Sequence, residues 1–207
     1  MVNLKEKENN FFNEDFELNK VKKIISEALH KTDDGELFIE QRQSESLSWI
    51  DGMIKSSSYD NSIGFGLRAI LGEARAYAHS NSLDIKSLKK AAQTIKAIHS
   101  SNSNYSDPPN EKKRNLYSEK NPVDHTEFLD KLHLLEKIDK FLRSKDNRVT
   151  QVSCSIASSL QKIKIIRADD FNAQDTRPMV RLNLSVVVEE DGRSESASIG
   201  SGGRYML

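Results

Sequence analysis

The strongest constraint on the fold lies near the end of the chain. In "RPMVRLNLSVVVEEDGRSESASIGSGGR", Val180, Leu182, Leu184, Val186 and Val188 alternate with Arg181, Asn183, Ser185 and Glu189. Successive side chains of an extended strand point to opposite faces, so a period of two dictates a strand with one apolar face. Asp191-Gly192 follows, a dipeptide suited to a type I′ hairpin turn, whose two central residues both need positive φ. A two-residue turn there sets Glu190 opposite Arg193, Val186 opposite Ala197 and Leu184 opposite Ile199. That register keeps apolar residues together, and a slip of one position would invert it. Pro178 stands at the strand start, where its missing N–H does least harm. The outgoing strand is otherwise Ser and Glu, and reads as an edge or as a strand that takes a partner from elsewhere.

The same turn dipeptide recurs at Asp51-Gly52, between the long, partly alternating "ELFIEQRQSESLSWI" and a return strand carrying "SIGFGLRAI". Ile63, Phe65, Leu67 and Ala69 fall on one face of that strand, and Gly64, Gly66 and Arg68 on the other. A further tight turn at Gly72-Glu73 leads into "ARAYAHS", which makes residues 36–78 a four-stranded antiparallel meander. Helices flank it. Phe16, Val21, Ile24, Ile25 and Ala28 recur at helical spacing within 14–29. Asp84 is placed to cap a helix whose apolar stripe is Ile85, Leu88, Ala91, Ala92, Ile95 and Ile98. Asp124 and Glu127 resemble a capping box before a third stripe of Phe128, Leu132, Leu135, Ile138 and Leu142. Three strands are expected after it, at 148–158, 160–168 and 178–190, with "DDFNAQD" as the turn between the last two.

The fold class is therefore α+β, with antiparallel sheets and helices packed on one face. The order of elements is compatible with two successive α+β units. Residues 1–13 read as a disordered tail. Residues 14–99 form the helix, meander and helix, and 100–123, rich in Ser, Asn, Pro and charge, form a linker or long loop. Residues 124–207 carry the last helix and strands and end in a Gly-rich exit.

Charge is balanced, with 31 basic and 31 acidic residues. That argues against a nucleic-acid partner, which needs a basic excess on one face. No apolar run approaches the roughly 20 residues of a membrane helix, and the polar start is unlike a secretory signal. The single cysteine, Cys154, excludes a disulfide framework within the chain and fits a reducing cytoplasm. The five histidines, His30, His79, His99, His125 and His133, show no His-x-x-x-His or His-Glu-x-x-His pair. His133 and Glu136, one helical turn apart, read as a solvated surface pair. Cys154 alternates with Val152 and Ile156 and reads as core. "GFGLR" lies within a strand and not at a strand-to-helix turn, so it is no dinucleotide loop; its glycines allow a close approach. "GSGGR" (Gly200–Arg204) reads as a flexible loop that could cradle an anion through its N–H groups. "EKKR" at 111–114 and Glu189-Glu190-Asp191 read as solvated charge. No catalytic or metal residue emerges.

"WIDGMIKSSSYDNSIGFGLRAILGEARAYAHS" resembles the N-terminal region of the TldD/PmbA metalloproteases, nearer the TldD branch. The matching residues are Trp49, Asp51, Gly52, Ile54, Lys55, Gly64, Gly66, Arg68, Ala69, Ile70, Gly72, Glu73 and 76–78. The terminal hairpin with "IIRADDFNAQDTRP" before it is similar to the same family, and the likeness spans about 37–204. The resemblance implies a bacterial zinc peptidase that cuts unfolded peptides, with a TldD-type subunit paired to a PmbA-type one. It also implies a His-Glu-x-x-x-His helix and a later cysteine that bind zinc, both beyond the matched region. This chain is then expected to be the substrate-cleft and assembly part, truncated before its catalytic domain, with no cofactor of its own. Its partners would be the missing C-terminal half or a second subunit, and a peptide. The alternative is a non-catalytic split-gene remnant or interaction module that complements or regulates a separate subunit. Arg68, Arg177 and Arg181, with Gly200, Gly202 and Gly203, are the candidate substrate or partner interface.

Overall fold

In the computed structural model, residues 11, 15–98, 116–168 and 171–206 are described. The expected tail at 1–13, but for Phe11, and the linker stretch 100–115 lie outside them, as do His99, "EKKR" and the turn residues 169–170.

Six antiparallel strands form one sheet in the order β3-β2-β1-β4-β5-β6. They are β1 Asp34–Ile50, β2 Met53–Leu71, β3 Ala74–Ser80, β4 Val149–Arg167, β5 Asn172–Glu190 and β6 Arg193–Gly203. The helices are α1 Leu18–Leu29, α2 Ile85–Ile95, the single turn α3 Pro122–His125, and α4 Phe128–Lys145. Three long strands stand where four shorter ones are expected in the meander. β4 is likewise one strand of 19 residues, without the break expected near 159. The polar Ser158-Ser159 pair suggests an interruption, yet Ser158 is 2% exposed and the ladder runs through it. Nothing there bends the backbone, because neither Gly nor Pro falls within β4.

All three tight turns form where expected. Asp51 and Gly52 take φ of 49° and 82°, Asp191 and Gly192 take 49° and 76°, and Gly72 takes 55°. The last hairpin has the expected register: Glu190 faces Arg193, Val186 faces Ala197 and Leu184 faces Ile199. It continues through Val180–Gly203, so Gly200–Gly203 belong to a strand and not to a flexible loop.

Packing divides the chain into two compact units, each assembled from three stretches: 1–41, 62–115 and 162–175 in the first, 42–61, 116–161 and 176–207 in the second. In the first unit, α1 and α2 cover one sheet face. Val21, Ile25, Ala28, Leu29, Leu88 and Ile95 meet Leu37, Ile39, Phe65, Leu67, Ala69 and Ile166. Each of the Val, Leu, Ile and Phe side chains among them contributes about 1.5–3 kcal/mol. Asp84 caps α2 as expected, accepting from Ser87 N at 2.7 Å. That bond holds its carboxyl below the usual range.

In the second unit, α4 covers Leu47, Trp49, Val152, Cys154 and Ile156 through Leu132, Leu135, Ile138 and Leu142. The capping box does not form. Asn121 caps α3 by accepting from Val123 N, and α4 begins at Phe128 with no side-chain cap. Pro122 at the first position of α3 starts that turn early, so Asp124 lies inside a helix and not before one. Phe128 is 38% exposed and lies outside the core.

Candidate functional site

The second unit contains a buried charge network that fixes its first hairpin. Asp139, on the inner side of α4, is 4% exposed. Its Oδ2 accepts from Trp49 Nε1 at 2.9 Å and from Gly52 N at 2.8 Å, and its Oδ1 accepts from Arg143 Nε at 2.8 Å. Arg143 also donates to Asp51, which in turn accepts from Val152 N at 2.9 Å. Both oxygens of the buried carboxylate are therefore engaged, the condition under which such a group is tolerated. Hydrogen bonding to Asp139, and then its charge, raises the Arg143 pKa further above its already high value. Lys131, 1% exposed, is held likewise by Glu45 and by the Val123 carbonyl. The Trp-x-Asp-Gly stretch is thus the half of this device carried by the hairpin. Asp139 and Lys131 were missed in the sequence, although each falls four residues from Leu135, within the apolar stripe.

The sheet face turned away from α4 in this unit is polar. Arg181, Asn183 and Ser185 of β5 stand opposite Gly202, Gly200 and Ser198 of β6. Ser153 and Ser155 of β4 and Ser48 of β1 extend the surface, and together these strands line a shallow groove of about 340 Å³. Arg181 Nε donates to Asn183 Oδ1 at 2.8 Å, and Asn183 Nδ2 donates to Ser155 Oγ at 3.3 Å. The guanidinium lies across Gly200, where an added Cβ would come within 2.9 Å of Asn183 Oδ1 and 3.3 Å of Arg181 Nη2. At Gly202 a Cβ would meet the Val180 carbonyl at 2.4 Å. The glycines therefore serve close packing across the strand pair.

Of the six residues singled out as an interface, Arg181, Gly200 and Gly202 come together on this face. Gly203 lies under the Tyr205 ring. Arg204 follows it, stacked on Tyr117 at 4.8 Å and donating to the Pro178 carbonyl. Arg177 is half-buried on β5 and already engaged. Arg68 belongs to the first unit, where Glu36 pairs with it at 3.0 Å. The close approach expected at the "GFG" glycines is an intramolecular one. A Cβ on Gly66 would lie 2.6 Å from Tyr77 Oη, and one on Gly64 would lie 2.8 Å from the Ser80 carbonyl.

Zinc donors do not gather. Among the described residues no three His, Cys, Asp or Glu side chains are placed to hold a metal ion. His79 stacks on Tyr77 at 5.8 Å. Glu136, one turn from His133, pairs with Lys140 at 2.6 Å. Burial, and next the Asp139 charge, push the Cys154 thiol up to about 11, the opposite of the shift that makes a thiol reactive. The described residues do not fit a zinc centre. No helix among the described residues is long and apolar enough to cross a membrane.

Comparisons with known proteins converge. Residues 35–98 match the family model for PmbA/TldA metallopeptidase domain 1, and residues 121–207 match that for the PmbA/TldA metallopeptidase central domain. A metalloprotease TldD homolog of Haemophilus influenzae is 36% identical over 179 residues, covering 84% of this chain. One of Buchnera aphidicola subsp. Schizaphis graminum is 33% identical over 177 residues, again covering 84%. The chain spans 37% of the length of either relative. Two crystal structures share the fold. A protein from Bacteroides thetaiotaomicron, described as a modulator of DNA gyrase, superposes with a TM-score of 0.72 at 14% identity, over 100% of this chain and 46% of that one. TldE from Thermococcus kodakarensis superposes with a TM-score of 0.67 at 15% identity, over 90% of this chain and 43% of that one.

Proposed function

The chain belongs to the PmbA/TldA metallopeptidase family, and from that premise we propose that it is the substrate-cleft and assembly part of a TldD-like peptidase acting on unfolded peptides. The observation that carries this reading is the order of the two family matches, domain 1 and then the central domain. They fall on a chain in which no three metal donors among the described residues are placed to hold an ion. On this reading the zinc ligands belong to a C-terminal catalytic segment or to a TldE-like companion subunit. The work of this chain is to hold that segment and an extended peptide in register. Strand edges are suited to that, because main-chain hydrogen bonds give affinity whatever the peptide sequence. A bacterial cytoplasm suits the single, protonated, buried thiol.

The test is reconstitution. The 207-residue chain is assayed for bound zinc and for cleavage of an unfolded peptide, alone and after mixing with a TldD-type catalytic segment and a TldE-type subunit. Cleavage that appears only in the mixture, with stoichiometric assembly, supports the proposal. Assembly without cleavage would favour a non-catalytic interaction module. Tightly bound zinc and proteolysis by the chain alone would refute the assignment.

A further inference from the structure

The groove on the polar sheet face of the second unit carries more than a general docking role. An exposed arginine is ordinarily mobile and solvated, and both states weaken its selectivity. Arg181 differs in three respects. Its Nε is committed to Asn183 Oδ1, and Asn183 is itself tied to Ser155. Its Nη2 lies beside Gly200, close enough that an added Cβ there would come within 3.3 Å of it. No carboxylate among the described residues pairs with it, whereas Arg68 has one and Arg143 and Arg148 have two each. The terminal nitrogens thus remain to donate at a fixed place. Around them the Ser185 and Ser198 hydroxyls have no protein partner among the described residues, and both line the groove with Ser153. A guanidinium fork beside neutral hydroxyl donors, with no acidic side chain lining the groove, matches a planar oxyanion.

We propose that this groove is a carboxylate subsite, which takes the C-terminal or side-chain carboxylate of an extended peptide on Arg181, with Ser185 and Ser198 as flanking donors. Only the source of the carboxylate rests on the peptide-handling reading; the anion chemistry rests on the groove. Asn183 is a positioning residue, since it acts through the guanidinium.

The experiment reads binding alone, so a failed cleavage assay leaves it unaffected. The 207-residue chain, labelled with nitrogen-15, is titrated with acetyl-Gly-Ser-Gly-Ser-Gly as the free acid, with the same peptide as its C-terminal amide, and with inorganic phosphate. The free acid is expected to shift the Arg181 Nε–H signal and the amides of Ser198 and Gly200. The amide is expected to bind at least about tenfold more weakly, the loss of one charge-assisted pair. Arg181→Gln is expected to abolish the shifts. Gly200→Ala keeps the charge but moves the guanidinium, and is expected to weaken binding several-fold; it keeps the test decisive should Arg181→Gln fold poorly. Equal binding of acid and amide, or undiminished binding by either variant, would overturn the subsite. Phosphate shifting these signals while the free-acid peptide leaves them in place would overturn the carboxylate assignment.

Discussion

The two Asp-Gly turns of the second unit have nearly the same backbone, with φ of 49° at each Asp and 82° or 76° at each Gly. Their surroundings differ. At the first, Asp51 is bound by Arg143 and Val152 N, and Gly52 N donates to Asp139, a carboxylate 87 residues away in the chain. At the second, the Asp191 side chain has no partner among the described residues. The nearest tie is Glu190 to Arg148 at 2.7 Å, on the surface. One turn is fastened to a helix through a partly buried side-chain network, and the other ends a strand pair that only backbone bonds and a surface ion pair hold to β4, with every residue from Arg193 to Ser201 exposed. The comparison separates two tasks. A dipeptide with positive φ sets the register of a hairpin, whereas long-range side chains decide whether that hairpin has a fixed place.

The sharpest way to break the comparison is to remove the buried carboxylate. Asp139→Ala orphans Trp49 Nε1 and Gly52 N together and leaves the Arg143 guanidinium without its Nε partner. A loss of about 3–5 kcal/mol is expected in denaturant unfolding, and a loss below 1 kcal/mol would show that the network is incidental. Asparagine keeps the preference for a left-handed turn while removing the charge. Asp51→Asn is therefore expected to cost about 1–2 kcal/mol through its lost pair with Arg143. Asp191→Asn should stay within about 0.5 kcal/mol of the parent, so equal effects would erase the distinction. Gly52→Ala and Gly192→Ala serve as the control. Both meet open space and both force a methyl group into positive φ. Each should cost about 1 kcal/mol, the same at the two turns. A large difference would mean that the backbone and not the side chains sets the two turns apart.

The smallest effect concerns pH. Hydrogen bonds from Arg148 hold the Asp146 carboxyl down at about 2, against 3.8 for the free side chain. Its folded value lies below its unfolded one, so its contribution is present above about pH 4 and is lost as pH falls toward 2. Arg148 bridges Asp146 to Glu190, beside the second turn. Amide shifts at 189–193 should therefore move in that window. Arg148→Gln should abolish the movement; if it persists unchanged, another group is responsible.

The two tasks also explain what the sequence made legible. The register of the last hairpin could be read pair by pair, because alternation and turn chemistry are both local. The helical coat of the first unit was readable for the same reason, since Leu88, Ala91, Ala92 and Ile95 repeat at helical spacing and are buried. Asp139 and Lys131 escaped because their partners are distant in the chain, and a charged residue in an apolar stripe resembles a flaw in the pattern. They left one signal, a charge four residues on either side of the fully buried Leu135. The Arg181 site was half legible. The arginine and the glycines could be named, but the Gly-rich run reads as a loop and not as the continuation of the ladder, and the role of Asn183 depends on side-chain direction.

Tyr77 lying over Gly66 in the first unit has a consequence for mutational scanning. A side chain at 66 must displace the phenol, since the three atoms nearest its Cβ all belong to Tyr77, and shortening Tyr77 removes them. Whatever cost a single change at 66 shows should therefore shrink in the paired change, so a map built from one-at-a-time variants would assign to the glycine a cost that belongs to the ring.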